Sequence, residues 1–338
     1  MISPLLRTAV KRRAIAGLLV LVAALTTAMV RRERPFPPEP RDDERAKALH
    51  SRARVIFITI DGPLRDDVLS GPNMPGLQAA IRAHGVAIRA DAASVMALSL
   101  PGYQALATGG VTGCRDNDCA RVSVETMAER VVHQLGLAAD QAAVFASWSR
   151  QKRAASSRDG VVTVDAPDDG PPHEGGPPWR NARFDAETFS RAKAFWLERH
   201  PRFLHLAFLD TDEYAHEGER ESYERALRET DARVLEVLAW VAALPEEERA
   251  VTTVVLASDH GRGRGANWTE HGFFERGSGE VFIAAIGPLV RGGEEARADQ
   301  RDVRPTVERL FGLCPAHVSD EGRALEAIVG ILPCSPLP

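Results

Sequence analysis

Three short segments of the chain hold residues able to do metal chemistry. They are Ile60-Asp61-Gly62, the pair Asp212 and His216 in Asp210-Thr211-Asp212-Glu213-Tyr214-Ala215-His216, and Ser258-Asp259-His260-Gly261 with His271-Gly272 following. Asp61, Asp212, His216, Asp259, His260 and His271 make a set of three carboxylates and three imidazoles. Such a set suits two divalent ions, zinc first, with Mn2+ or Mg2+/Ca2+ as alternatives. Two ions about 4 Å apart can clamp the attacking and leaving oxygens of an in-line displacement. Ser99, in Ser99-Leu100-Pro101-Gly102-Tyr103 before a helix expected over 104–108, is the candidate nucleophile. A hydroxyl at a helix amino terminus meets backbone N–H groups and the positive end of the dipole, which suits an anionic phosphoryl group. Coordination of the serine oxygen to one of the ions would activate it. Each piece alone has a bland reading, since Asp-Gly makes turns and Ser ahead of Pro caps helices. Their order and placement give the set its meaning.

That placement follows from the elements around them. The run 55–60 is apolar and β-branched, as a strand buried on both faces must be. Further strands are expected at 142–146, 203–209, 252–257 and 281–286. Helices are expected at 74–83, 123–135 (Ser123 as cap), 185–199, 220–244 and 303–311. Residues 159–183 are crowded with Gly and Pro and read as a long loop. Strands alternating with helices predict an α/β three-layer sandwich with a mostly parallel sheet and helices on both faces. Ligands in such sheets bind beyond the carboxyl ends of the strands, where Asp61, the Asp210–His216 segment and Asp259 lie.

The chain has 338 residues, 44% hydrophobic and 26% charged, an ordinary globular balance with length for a large core. Its net charge of −5 includes four basic and no acidic residues before position 29, so the body is more acidic still. A body of that sign lacks the footprint of a nucleic-acid binder, and no nucleic-acid polymer is expected as a partner. Lys11-Arg12-Arg13 followed by the uncharged run 14–30 has the pattern of a signal peptide or an uncleaved single-pass anchor. The expected division is therefore 1–34 as the export segment, 35–50 as a Pro-rich linker and 51–338 as a catalytic domain delivered to the periplasm or cell surface. Four cysteines fit that compartment, and the local pairings Cys114–Cys119 and Cys314–Cys334 are expected.

Taken together, Ile60-Asp61-Gly62, Ser99-Leu100-Pro101, Asp212-x-x-x-His216, Ser258-Asp259-His260-Gly261 and His271-Gly272 resemble the alkaline phosphatase superfamily. The nucleotide pyrophosphatase/phosphodiesterase-like branch, related to the sulfatases, is the nearest in pattern. Asp302-Val303-Arg304-Pro305-Thr306 also resembles that family's C-terminal helix entry. The resemblance implies that Asp212, His216 and His271 hold one metal, and that Asp61, Asp259 and His260 hold the other with the Ser99 oxygen. It implies a two-step hydrolysis of a phosphate mono- or diester through a Ser99 phospho-enzyme. The substrate would be a small-molecule, lipid or glycan phosphate ester. Phosphodiesterase relatives carry Thr-Phe-Pro-Asn, whose Asn helps hold a phosphate oxygen, but here that position is Gly102. Tyr103, or a basic side chain from Lys152, Arg153, Arg183, Arg262 or Arg264, is the expected substitute. Asn267 and Trp268 are further candidates to line the pocket. Sulfatases need Cys or Ser-x-Pro-x-Arg, and Tyr103 stands where the Arg belongs. A sulfatase, a membrane-tethered phosphotransferase and a non-catalytic binding module are the alternatives.

Overall fold

A computed structural model of the chain describes residues 42–172, 174–314, 322–330 and 332–334. The expected export segment and anchor, 1–34 with its apolar run 14–30, lies outside the described residues. Among the described residues no helix is long and apolar enough to cross a membrane. The expected linker 35–50 is helical from Asp42 onward: α1 (Asp42–Arg52) leads directly into the first strand and buries Leu49.

Among the described residues seven strands form one sheet: β1 (Arg54–Ile60), β2 (Gly85–Asp91), β3 (Ala142–Ala146), β4 (Thr163–Asp165), β5 (Phe203–Phe208), β6 (Thr252–Ser258) and β7 (Glu280–Ile286). Their order is β2-β7-β6-β1-β5-β3-β4. β1 pairs parallel with β5 and β6, and β3 pairs parallel with β5 and β4. Only β7 runs against the others, being antiparallel to both β6 and β2. The three strands whose ends carry the acids are thus central neighbours running the same way. Their register places Ile60 beside Phe208 and Ser258, so Asp61 and Asp259 leave the sheet at one level and Asp210 follows one residue further on.

Alternate residues of β1 enter two separate cores, which is why its sequence is apolar throughout. Val55 and Phe57 pack with Leu100, Leu106, Val131, Val307 and Leu310. These come from α3 (Ser99–Thr108), α4 (Met127–Leu135) and α8 (Val303–Leu310). Ile56, Ile58 and Ile60 face the other layer and pack with Leu77, Trp196, Val234 and Trp240. That layer is α2 (Pro75–His84), α5 (Asp185–Arg199) and α7 (Arg220–Ala242). Truncating a side chain such as Phe57 on either face would cost about 3–5 kcal/mol.

Several boundaries differ from expectation for local reasons. α4 starts at Met127, not Ser123, because Thr126 and Glu129 form a reciprocal capping box: Glu129 N–H donates to the Thr126 hydroxyl and Thr126 N–H to the Glu129 carboxylate. α3 begins at Ser99 itself rather than at 104. The segment Asp210–His216, given no element from sequence, is a short helix, α6. The long loop 159–183 contains the edge strand β4. β2 was not expected; it lies at the sheet edge, and its alternating burial leaves Ala87, Arg89 and Asp91 facing solvent. Both disulfides form as expected, Cys114–Cys119 and Cys314–Cys334.

Candidate metal centre

The parallel strand ends deliver the six predicted ligands to two adjoining clusters. Asp212, His216 and His271 form one, in which His216 is the exposed member. Asp61, Asp259 and His260 form the other, entirely buried. α6 explains the first pair: Asp212 and His216 sit one helical turn apart on the same face, with His216 Nε2 3.2 Å from Asp212 Oδ2. His271 closes that cluster, its Nε2 3.0 Å from His216 Nε2. In the second cluster His260 Nε2 lies 3.2 Å from Asp61 Oδ1 and 3.6 Å from Asp259 Oδ2. The two clusters touch, because His260 Nε2 is also 3.8 Å from Asp212 Oδ1. Gly62 makes this closeness attainable. Its φ is +52°, and a Cβ there would run into the Asp212 carboxylate and the His260 ring.

The histidine tautomers are set from behind. His260 Nδ1 is 2.8 Å from the Gly261 carbonyl oxygen and His271 Nδ1 is 3.0 Å from that of Ala97. A carbonyl only accepts, so each Nδ1 carries the proton and each Nε2 lone pair faces the clusters. Burial pushes both rings down to about 4, with the neighbouring His260 adding to the effect on His271. They are therefore neutral at pH 7 and ready to ligate.

The carboxylates show the complementary strain. Burial, then the charge of Asp212, pushes Asp61 up to about 7. Burial, then Asp61 and Asp212, raises Asp259 well above the ordinary carboxylate range. Burial opposes ionisation of Asp212 too, but Arg262, His216 and His271 outweigh it and hold its carboxyl well below that range. Asp259 Oδ1 accepts from Gly62 N–H at 3.1 Å, whereas Asp259 Oδ2 is buried with no hydrogen-bond partner among the described residues. A buried carboxylate oxygen without a donor, beside imidazole lone pairs and a second acid, is what a divalent cation would satisfy. The donor set fits the metals expected from the sequence.

Ser99 is at the first turn of α3, 4% exposed. Its Oγ lies 3.2 Å from His260 Nε2 and 3.4 Å from Asp61 Oδ1. α3 comes this close because Gly102 has no side chain: a Cβ would collide with the backbone carbonyl of Asp259. The same contact explains why no amide can stand at this position. Gly102→Ala is expected to destabilise the protein by about 1–3 kcal/mol and to displace Ser99; an unchanged melting temperature together with unchanged turnover would contradict this packing.

The substrate-binding residues expected from sequence are placed otherwise. Tyr103 is 3% exposed and its hydroxyl donates to Asp61 Oδ2 at 3.0 Å, so it holds a ligand from behind instead of facing a substrate. Arg262 is fully buried, donating to the Asp212 carboxylate and, at 2.9 Å, to the Asp212 carbonyl. Arg183 pairs with Asp165, Lys152 with Asp168 and Arg264 with Glu280, while Arg153 donates to the Cys119 carbonyl. Asn267 donates to Glu275, and Trp268 packs edge-on against Tyr223 and under Arg220. Sequence reasoning also passed over Phe273 and Phe274, just past His271, which are 58% and 91% exposed and pack edge-on against each other. An exposed Phe-Phe pair beside a ligand His was the available signal.

No family model matches the chain, and no curated protein does. Solved structures do. A putative sulfatase from Bacteroides thetaiotaomicron aligns with a TM-score of 0.64 over 82% of this chain and 75% of its own, at 16% identity. The phosphonate monoester hydrolase of Agrobacterium radiobacter aligns at 0.58, covering 82% and 77%, also at 16% identity. A protein of the alkaline phosphatase superfamily from Vibrio parahaemolyticus aligns at 0.54, covering 84% and 78%, at 13% identity. The chain has the alkaline phosphatase-like fold. In that fold the carboxyl ends of β1, β5 and β6 carry the ligand clusters, and α3 brings Ser99 to them.

Proposed function

We propose that this protein is an exported metal-dependent hydrolase that moves the phosphoryl group of a phosphate ester first to Ser99 and then to water. The observation that carries the reading is Ser99 Oγ at the start of α3, within 3.4 Å of both Asp61 and His260. Asp212, His216 and His271 would hold one divalent ion, and Asp61, Asp259 and His260 the other. Such ions supply Lewis-acid stabilisation of the attacking and leaving oxygens. The chain's own residues do the rest. Tyr103 fixes the rotamer of Asp61 through its hydrogen bond, and Arg262 fixes Asp212. Asp61 Oδ1 and His260 Nε2 would keep the Ser99 oxygen beside the ion they hold, and the serine proton passes to solvent as the oxygen–phosphorus bond forms. The bond to the leaving oxygen breaks in that step, and water attack then frees Ser99.

A sulfate ester is the second reading, favoured by the sulfatase among the structural neighbours. Against it stands Tyr103, whose hydroxyl is committed to Asp61 where the sulfatase pattern needs a free Arg. Export to the periplasm or cell surface, cleaved or anchored through 14–30, is supported by the basic-then-apolar amino terminus and by two disulfides. A panel of nitrophenyl phosphate, its diester, a phenyl phosphonate monoester and nitrophenyl sulfate, assayed on zinc- and manganese-loaded protein, tests the chemistry. Turnover of phosphorus esters is the expected result; turnover of the sulfate alone would transfer the assignment to the second reading.

A further inference from the structure

An imidazole is an unexpected side chain for the middle of a sheet covered on both faces. β5 carries one, His205, in register with Phe57 of β1, the two rings 4.6 Å apart. Burial pushes His205 down to about 3, so the ring is neutral at pH 7. A leucine would fill the same space without the cost of burying two ring nitrogens. What His205 has and leucine lacks is a hydrogen bond, from its Nε2 to Thr59 Oγ1 at 3.0 Å.

Thr59 stands two residues before Asp61, so the pleat of β1 turns both side chains to the same face. That face is covered by α3, whose Tyr103 shares a core with Phe57. The Tyr103 hydroxyl donates to Asp61 Oδ2 at 3.0 Å, and the Thr59 hydroxyl donates in turn to the Tyr103 oxygen. The direction of the line follows from counting protons. An ionised carboxylate only accepts, so Tyr103 spends its one proton on Asp61. Thr59 spends its one proton on Tyr103, and its oxygen is left to accept from His205. His205 therefore carries its proton on Nε2. All four side chains are buried, so water does not compete for these bonds.

We propose that His205 and Thr59 are positioning residues that act through Tyr103 to fix the Asp61 carboxylate toward the ion it would share with Asp259 and His260. This rests on the metal centre of the reading above and is independent of which ester is hydrolysed. Neither residue touches substrate or ion. Their effect is to leave Tyr103 a single use for its proton, which holds Asp61 Oδ2 while Asp61 Oδ1 faces His260 and Ser99. Hydrogen-bond partners behind a metal ligand typically carry about 10–100-fold in affinity for the metal.

The test is zinc affinity of the metal-free full chain by calorimetric titration, with the melting temperature taken before metal is added. In Thr59→Val/His205→Leu both partners of the 3.0 Å bond become apolar, so the metal-free protein should melt close to wild type. The proposal expects that variant to bind one of its two zinc ions about tenfold more weakly and the other as wild type does. Thr59→Val alone gives the same comparison if the pair melts low. His205→Gln keeps a donor at the same reach and should stay within about threefold of wild type. Adding Tyr103→Phe to the pair should cost no more than Tyr103→Phe alone, because the line acts only through Tyr103. Wild-type affinity at both sites in the folded pair would show that the bond serves folding alone and overturns the proposal. Equal losses at both ions, or losses that multiply with Tyr103→Phe, overturn it as well. A wild type that binds two zinc ions but hydrolyses no ester defeats the hydrolase reading and leaves this test standing; a wild type that binds no divalent ion overturns the positioning role itself.

Discussion

Ser99→Ala is expected to abolish ester turnover, by roughly 10,000-fold or more, with little change in stability. The side chain removed is one hydroxyl whose hydrogen-bond partners are Asp61 and His260, and alanine is the better helix former at that position. Metal content should be close to wild type, because the six carboxylate and imidazole ligands remain. Steady-state rates and elemental analysis on the same sample check both halves. A variant that retains turnover would show that water attacks the ester directly and that Ser99 is not the nucleophile. A variant that loses turnover because it has lost its metal would instead make Ser99 chiefly a ligand.

Removing the metal is expected to abolish activity and to lower the melting temperature by about 10 °C, the loss corresponding to a ligand present at some thousand times its dissociation constant. The size of the loss should depend on pH, and its sign follows from the groups at the centre. His260 and His271, at about 4 in the folded chain against 6.5 in the unfolded one, bind fewer protons when folded. Their contribution to metal-free stability therefore rises from about pH 4 and is complete above about pH 6.5. Asp61, at about 7 against 3.8, binds more protons when folded, so its contribution falls over that range. Asp259 shifts in the same direction. Above pH 6.5 His260 and His271 have finished titrating, while Asp61 and His216 (raised by Asp212 against its burial) still release protons that the folded chain binds more tightly, so metal-free protein should lose stability as the pH rises from 6.5 through and just past 7. Divalent ions replace the protons the acids would otherwise hold, so the loaded protein should not show this fall. Melting curves with and without chelator across that range measure the gap. A gap that is constant or narrows with rising pH would contradict the assignment of Asp61 and Asp259 as ligands.

How far the sequence alone reaches can be judged residue by residue. Asp61 and Asp259 are legible because each directly ends a run of buried β-branched residues, and chain direction in a parallel sheet then puts both on one edge. Asp212 and His216 are legible as a pair by their spacing, but not the helical turn that aligns them. The position of Ser99 is legible to within a turn: the helix it opens was expected later, because Pro101 sits in its first turn and Gly102 weakens its propensity. What the sequence withholds are contacts between distant residues. Nothing local shows that Tyr103 turns inward to Asp61, that Arg262 is spent on Asp212, or that a disulfide loop carries Asn117 to Leu100. β2 is hidden for another reason: only alternate residues of an edge strand are buried, and two of its three most buried positions are Val86 and Ala90, too few large side chains to stand out. Substrate preference is the least legible, since it depends on exposed side chains for which no backbone rule applies.

The covalent intermediate tests the central claim most directly. Metal-loaded protein mixed with excess nitrophenyl phosphate, quenched in acid within the first turnover and digested, would be examined by mass spectrometry. The account predicts one added phosphoryl group on the peptide containing Ser99, absent from Ser99→Ala and lost when the reaction runs to completion. Rapid turnover with an unmodified Ser99 peptide at every quench time, or the phosphoryl group on a different residue, would contradict it.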